Sequence, residues 1–128
     1  MSFTINKTVD KTFNETVDAV TDELKKEGFG VITEIDLKEK FKEKLGVEFR
    51  NYKILGACNP ALAYEAVRTE PNIGAMLPCN VLVQEKENGE VEVAAINPLN
   101  SIGTIENNQL HSLAKEVSEK LQAVINRL

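Results

Sequence analysis

The chain has 128 residues, the usual length of one domain, and its 42 % apolar residues suffice for a hydrophobic core. The formal net charge is −5 and the basic residues are interspersed with acidic ones, which excludes nucleic-acid binding because that needs a net cationic face. No apolar run approaches the ~20 residues that span a bilayer, so we expect one domain over residues 1–128 and no membrane association.

The segment before Gly28 predicts a strand followed by a long helix. Residues 3–9 alternate apolar and polar side chains, as a half-buried strand does. Thr12 with Glu15 forms a capping-box pattern, and apolar residues recur behind it at helical spacing until Gly28 supplies a stop signal. We therefore expect a helix over residues 12–27.

The next segment predicts two strands separated by a short charged helix. Residues 29–35 form the second strand, and Asp36 with Glu39 is another capping-box pattern whose helix ends at Gly46. The expected buried row of this helix consists of Leu37, Phe41 and Leu45. A third strand follows over residues 51–57 and ends at Cys58.

The rest of the chain predicts a helix, a hairpin and a last helix. Asn59-Pro60 combines an N-cap with a first-turn proline, so a helix should follow over residues 61–68. Asn88-Gly89 is the strongest short hairpin signal and joins a strand that begins near Val81 to a strand over residues 91–95. A continuous apolar stripe predicts a helix over residues 108–128.

This order of elements, β-α-β-α-β-α-β-β-α, predicts an α+β fold. The Asn88-Gly89 hairpin forces antiparallel pairing, so we expect a mostly antiparallel sheet with the two long helices on one face. The third strand carries apolar residues on both parities, such as Ile54 and Leu55. Burial of both its faces favours a homodimer, although loops would cover the second face equally well.

Two short motifs differ from generic core sequence and mirror each other, Cys58-Asn59-Pro60 and Pro78-Cys79-Asn80. If the third and fourth strands pair antiparallel, the two thiols converge at one edge of the sheet, between two amide side chains. A hairpin strand would return the loop at residues 97–101 to the same edge. The candidate ligand-binding residues are therefore Cys58, Asn59, Cys79, Asn80, Asn97 and Pro98, and the candidate catalytic or metal-ligating residues are Cys58 and Cys79.

The compartment follows from the cysteines and the N-terminal segment. Two cysteines in a chain of this length do not make a disulfide framework. The first residues alternate in polarity and lack an apolar signal core. We expect a cytoplasmic protein with both thiols reduced.

The cysteine motifs resemble those of a prokaryotic family catalogued as domain of unknown function 302. The resemblance covers nearly the whole chain and is strongest from Tyr52 to Val83. It implies a TATA-binding-protein-like α+β fold that forms homodimers, with no agreed activity. The recurrent positions fall on Gly56, Cys58, Asn59, Pro60, Pro78, Cys79, Asn80 and Pro98. An aspartate often precedes the last of these prolines in the family, and Asn97 stands there in this chain.

The residues leave three functions open. The first is a homodimeric binding module that holds a small ligand or a soft metal ion, Zn²⁺ or Cu(I), at the Cys58/Cys79 edge, where two chains would supply four sulfur ligands. The second is a thiol-dependent enzyme that acts on reduced sulfur or oxidants, with Cys58 as nucleophile and Cys79 as resolving thiol. The third is a structural or interaction domain with core cysteines.

Overall fold

The computed structural model describes residues 2–128, which form five strands, four α-helices and three short 3₁₀ helices. The strands are β1 (Thr4–Val9), β2 (Gly30–Asp36), β3 (Tyr52–Cys58), β4 (Cys79–Glu85) and β5 (Val91–Ile96). The α-helices are α1 (Phe13–Lys26), α2 (Leu37–Leu45), α3 (Pro60–Thr69) and α4 (Asn108–Asn126). The 3₁₀ helices are Pro71–Met76, Pro98–Asn100 and Ile102–Thr104. Over these described residues, no helix has the length and apolar character needed to cross a bilayer.

All five strands lie in one antiparallel sheet, in the order β1-β5-β4-β3-β2. The hairpin between β4 and β5 turns at Gly89, whose φ of 89° lies in the left-handed region that glycine adopts without strain. The Lys86 amide donates to the Glu90 carbonyl across this turn, at 2.7 Å. The predicted α+β class and its antiparallel sheet are therefore confirmed.

Local side-chain bonds begin α1 and α2 where the sequence predicts. Thr12 Oγ1 accepts from the Glu15 amide at 3.1 Å, and the Glu15 carboxylate accepts from the Thr12 amide at 3.0 Å, which completes the capping box. Asp36 accepts from the Glu39 amide at 3.0 Å, while no reciprocal bond closes a second box. Each bond satisfies an amide that has no partner inside the helix.

The main core lies between one face of the sheet and the two long helices. Side chains at alternate positions of the central strands point to this face, as the two-residue period of a strand requires. The most deeply buried members are Leu55, Val81, Val83 and Val93 from the strands and Val20, Leu24, Leu121 and Val124 from the helices. The placement of α1 and α4 on one face is confirmed.

A second, smaller cluster joins α3 to the first half of α4. Its buried members are Ala66, Ile73, Ile102, Leu110 and Ala114, with half-buried leucines packed around them. Two of these five residues belong to 3₁₀ helices, so segments that the sequence predicts as loops contribute to this core.

The predicted buried row of α2 is wrong. No residue of α2 is buried, and Leu45 is 70 % exposed. The helix follows β2, which is an edge strand, so it reaches only the margin of the sheet. Phe41 packs there edge-on against Phe49, with ring centroids 5.1 Å apart. The helical spacing therefore identifies the apolar side of α2 correctly, but at Phe41 that side packs against the aromatic ring of Phe49 rather than against the core.

Candidate functional site

The end of β3 and the start of β4 meet at one end of the sheet. Ala57 is the register partner of Cys79, and Gly56 is the partner of Asn80. The antiparallel pairing predicted for these two strands is therefore confirmed. The helix α3 begins directly beyond β3, so the two cysteine motifs flank the same strand ends.

The two cysteines do not form the converging pair that the sequence predicts. Both are free thiols. Cys79 lies opposite Ala57 rather than Cys58, so the register is offset by one residue. Neighbouring side chains of a strand point to opposite faces, and this offset therefore does not aim Cys58 at Cys79. The expectation of a cysteine pair is wrong because antiparallel pairing fixes which ends meet but not the register within them.

Both cysteine motifs nevertheless border one cavity of about 230 Å³ beside α3 and α4. Its buried wall includes Phe29, Ala57, Ala66, Cys79, Leu110 and Ala114. Its half-buried or exposed rim includes Ile32, Cys58, Asn59, Leu62 and Leu113. The lining is apolar except for the two thiols and the Asn59 amide, so the cavity resembles the small-molecule pockets of other proteins in its chemistry.

Alanines create much of this space. Ala66 on α3 and Ala114 on α4 face the cavity from two helices, and Ala57 faces it from β3. All three are buried, and each has only a methyl group beyond the backbone. These three small side chains therefore leave space between α3, α4 and β3.

Asn59 lines the cavity, but its amide group is already used. Asn59 Oδ1 accepts from the Leu62 amide at 3.3 Å, which caps the N-terminus of α3. Asn59 Nδ2 donates to the Glu27 carbonyl, also at 3.3 Å, and so ties α3 to the end of α1. These bonds use one of the two N–H donors of the amide and one of the two acceptor positions of its oxygen.

The structure places Asn80 away from the cavity. Asn80 is exposed on β4, one position after Cys79, so its side chain points to the opposite face of the sheet. It is absent from the cavity lining.

Asn97 and Pro98 also lie outside the cavity lining. Asn97 Oδ1 accepts from the Leu99 amide and from Ser118 Oγ, each at 3.2 Å, so it caps a 3₁₀ helix and ties it to α4. Pro98 is buried as the first residue of that 3₁₀ helix. Of the predicted site residues, the structure brings together only Cys58, Asn59 and Cys79.

The Cys79 thiol is a neutral wall group. Burial raises the pKa of Cys79 from its ordinary value of 9.0 to about 11, with a smaller contribution from the charge of an ionised Cys58. The thiol therefore stays protonated at neutral pH and contributes an apolar, polarisable surface to the cavity.

One chain does not supply a set of ligands for the predicted metals. Within residues 2–128, no group of three or more His, Cys, Asp or Glu side chains is arranged to hold a metal ion. Zn²⁺ takes four ligands, and both Zn²⁺ and Cu(I) bind thiolates rather than thiols. Cys58 and Cys79 alone do not meet these requirements, so a second chain would have to complete the site.

Several residues that line the cavity are not apparent as site residues in the sequence. They are Ala63 and Ala66 on α3, Leu77 before β4, Ile102 in a 3₁₀ helix, and Ala114 on α4. The only signal is the helical spacing of Leu62, Ala63 and Ala66, which marks an apolar side of α3 directly behind Cys58. That pattern is equally typical of an ordinary core helix.

Two of the comparisons with known proteins name the same family. The profile of the family described as "Domain of unknown function DUF302" matches residues 5–128. The crystal structure of an uncharacterized conserved DUF302 protein from Bacillus stearothermophilus matches with a TM-score of 0.92 at 30 % identity, over 99 % of this chain and 98 % of that chain. An uncharacterized protein of Aquifex aeolicus (strain VF5) is 45 % identical over 40 residues, which are 31 % of this chain and 28 % of that protein. The match thus covers less than a third of this curated relative's length.

Proposed function

The chain belongs to the family described as Domain of unknown function DUF302, and we propose that it is a homodimeric binding module that holds a small molecule in the cavity between α3, α4 and the sheet. The observation that carries this proposal is the cavity itself, with its volume of about 230 Å³. An apolar pocket of this kind, with few polar groups in its lining, is the default location of a ligand site.

The two cysteine motifs support the location. Cys58 lies at the rim and Cys79 in the wall of the same cavity, although the two residues are 21 positions apart in the sequence. Asn59 fixes the start of α3 beside the rim through its bonds to Leu62 and Glu27. Residues of both motifs, namely Cys58, Asn59, Pro78 and Cys79, thus line one cavity.

An organic molecule suits this site better than a soft metal ion does. The burial that raises the pKa of Cys79 to about 11 opposes the thiolate that Zn²⁺ or Cu(I) requires. The other lining side chains are hydrocarbon, apart from the thiol of Cys58 and the amide of Asn59. Metal binding would therefore depend on ligands from a second chain.

A thiol-dependent enzyme acting on reduced sulfur or oxidants is the second candidate function. Cys58 is half-buried, ends β3 directly before the N-cap of α3, and lines the rim of the cavity. Cys79 makes a poor resolving thiol, because exchange proceeds through the thiolate and its pKa is about 11. This candidate rests on Cys58 alone and ranks below the binding module.

The second face of the sheet supports the homodimeric part of the proposal. Ile35, Ile54 and Leu82 are register partners on three neighbouring strands and lie on the face away from α1 and α4. Ile35 is 42 % exposed, and the other two are half-buried. A second copy would bury this aliphatic row. A cytoplasmic location is part of the same proposal and is consistent with two free thiols.

Ligand-observed NMR on a library of small fragments tests the binding function. We expect fragments that bind the wild-type protein and the Ala61→Leu variant but not the Ala66→Leu variant. Ala66 lines the cavity, whereas Ala61 is exposed on the same helix and outside the lining, so the two changes are chemically identical. If no fragment distinguishes the two variants, the proposal fails and the structural or interaction domain with core cysteines remains.

A further inference from the structure

Building on the proposed function, we infer that the ligand is an uncharged, mainly hydrocarbon molecule of roughly ten carbon atoms that packs against Ile32 at the rim and the alanines at the wall. Lining chemistry, volume and the position of Ile32 each support one part of this statement.

The lining excludes a charged ligand. Among residues 2–128, no residue that lines the cavity carries an Asp, Glu, Lys, Arg or His side chain. The one amide, that of Asn59, is bonded to Leu62 and Glu27. A carboxylate or ammonium group inside the cavity would lose its hydration and gain no oppositely charged partner, with only the remaining donor and acceptor positions of one amide within the lining, which is unfavourable.

The volume sets the size of the ligand. Engineered apolar cavities of ~150 Å³ bind benzene, which has six carbon atoms. The cavity of about 230 Å³ is about half as large again, which corresponds to roughly nine or ten carbon atoms in the same packing. A bicyclic aromatic ring system or a short branched hydrocarbon has about this number of carbon atoms.

Two buried alanines define the depth of the cavity. Ala66 is 7 % exposed and Ala114 is 2 % exposed, and they belong to one buried cluster. A leucine at either position would place three more carbon atoms into the space that the ligand occupies. These positions therefore determine the largest ligand that fits.

The position of Ile32 supports an apolar rim. The pairing of β2 with β3 shifts register between Val31 and Thr33, and Ile32 is the extra residue of this irregularity. Such a bulge redirects one side chain, and here the redirected side chain is 62 % exposed and lines the cavity. An exposed isoleucine at a pocket entrance is suited to cover a bound hydrocarbon.

Naphthalene-based probes test this inference directly, because the chain contains no tryptophan and ring fluorescence has little protein background. We would titrate 2-methylnaphthalene, 2-naphthoate and 2-naphthylmethylammonium, which share one ring system and differ in charge. We expect the neutral probe to bind about tenfold or more tightly than either ion. Benzene should bind more weakly than 2-methylnaphthalene, and anthracene, with four more ring carbons than naphthalene, should not enter.

Matched variants separate cavity binding from surface adsorption. Ala66→Leu should abolish binding of 2-methylnaphthalene, and Ala61→Leu should leave it unchanged. Ile32→Ser should weaken binding severalfold, whereas Val67→Ser, which changes an exposed aliphatic residue of α3 outside both the cavity lining and the proposed dimer face, should not. Because Ile32 is exposed, its variant should fold even if a leucine at position 66 is not tolerated.

The outcomes distinguish this inference from the proposed function. Binding of 2-naphthoate that is stronger than that of 2-methylnaphthalene and is weakened by Ile32→Ser would overturn the apolar class and leave the binding module in place. Binding of no naphthalene probe would also overturn the inference, while the fragment screen decides the binding function separately. Loss of 2-methylnaphthalene binding as protein concentration rises would show that a second copy occupies the cavity, which overturns the inference as well.

Discussion

Gly56 on β3 and Thr33 on β2 are register partners, and a β carbon at Gly56 would overlap the hydroxyl oxygen of Thr33. The same β carbon would lie 2.7 Å from Cγ of Pro78. Two side chains, one from each neighbouring strand region, therefore occupy the space that any residue other than glycine would need. This packing accounts for glycine in the middle of a strand, where it is otherwise unfavourable.

We therefore expect Gly56→Ala to destabilise the fold by about 1–3 kcal/mol, the usual cost of overpacking. Gly30→Ala is the matched control, because Gly30 is also a strand glycine and a β carbon there meets nothing within 4 Å. Urea denaturation measures both. A second change, Thr33→Ala, should rescue Gly56→Ala only in part, since the contact with Pro78 remains. Equal stability of the two single variants would contradict this account.

The buried Cys79 thiol should make stability depend on alkaline pH. Its pKa is raised from 9.0 to about 11 in the folded protein, so above pH 9.0 the unfolded chain releases the proton more readily than the folded chain does. The stabilisation is fully present below pH 9.0 and is lost as pH rises through about 11. The loss amounts to roughly 3 kcal/mol at 1.36 kcal/mol per pKa unit.

Denaturation curves at several alkaline pH values, compared with those of Cys79→Ala, measure this contribution. The variant lacks the thiol and should show a smaller decline in its free energy of unfolding over the same pH range. Cys58→Ala serves as the comparison: an ionised Cys58 makes only the smaller contribution to the raised pKa of Cys79, so this variant should keep most of the wild-type decline. Parallel pH profiles for wild type and Cys79→Ala would contradict the buried position of the thiol.

Asn59 should contribute more to stability than an ordinary N-cap. Its side chain both caps α3 and donates to the Glu27 carbonyl, so Asn59→Ala removes two bonds. We expect a loss of about 2 kcal/mol, against about 1 kcal/mol for Asn107→Ala, whose two bonds from the Gln109 and Leu110 amides both lie within the cap of α4 and tie no second element to it. Asn59→Asp keeps the cap acceptor but not the donor, so its stability should lie between those of the wild type and Asn59→Ala. Thermal unfolding of the four proteins gives the order.

Local chemistry explains which elements are predictable from the sequence. The capping box of Thr12 and Glu15, the turn at Gly89 and the N-cap at Asn59 each involve residues within a few positions of one another. These bonds and turns need only residues that are neighbours in the sequence, so the local pattern is sufficient to predict them. The buried row of α2 depends instead on where that helix lies, and its place beside an edge strand leaves Leu45 exposed.

The site is less predictable because it depends on register and on facing helices. The cysteine motifs predict that the ends of β3 and β4 meet. Whether Cys79 is paired with Cys58 or with Ala57 depends on a shift of one residue in the strand register, which the motifs do not determine. The cavity arises where alanines of α3 and α4 face each other, and an alanine in a helix carries no signal of what lies opposite. Sequence patterns therefore locate the edge and do not reveal the cavity.

The last prediction concerns the face of the sheet that α1 and α4 do not cover. If a second copy packs on the row of Ile35, Ile54 and Leu82, a charge introduced there should prevent association. Sedimentation equilibrium at micromolar concentration should give about twice the chain mass of 14.2 kDa for the wild type and about that mass for Ile35→Glu. Val67→Glu is a close control, because Val67 on α3 is also a β-branched aliphatic residue and is 42 % exposed, as Ile35 is. The Val67→Glu variant should remain dimeric.

A monomeric wild type would contradict the homodimer and with it any metal site shared between two chains. A dimer that survives Ile35→Glu but not Val67→Glu would instead place the interface on α3, next to the rim of the cavity.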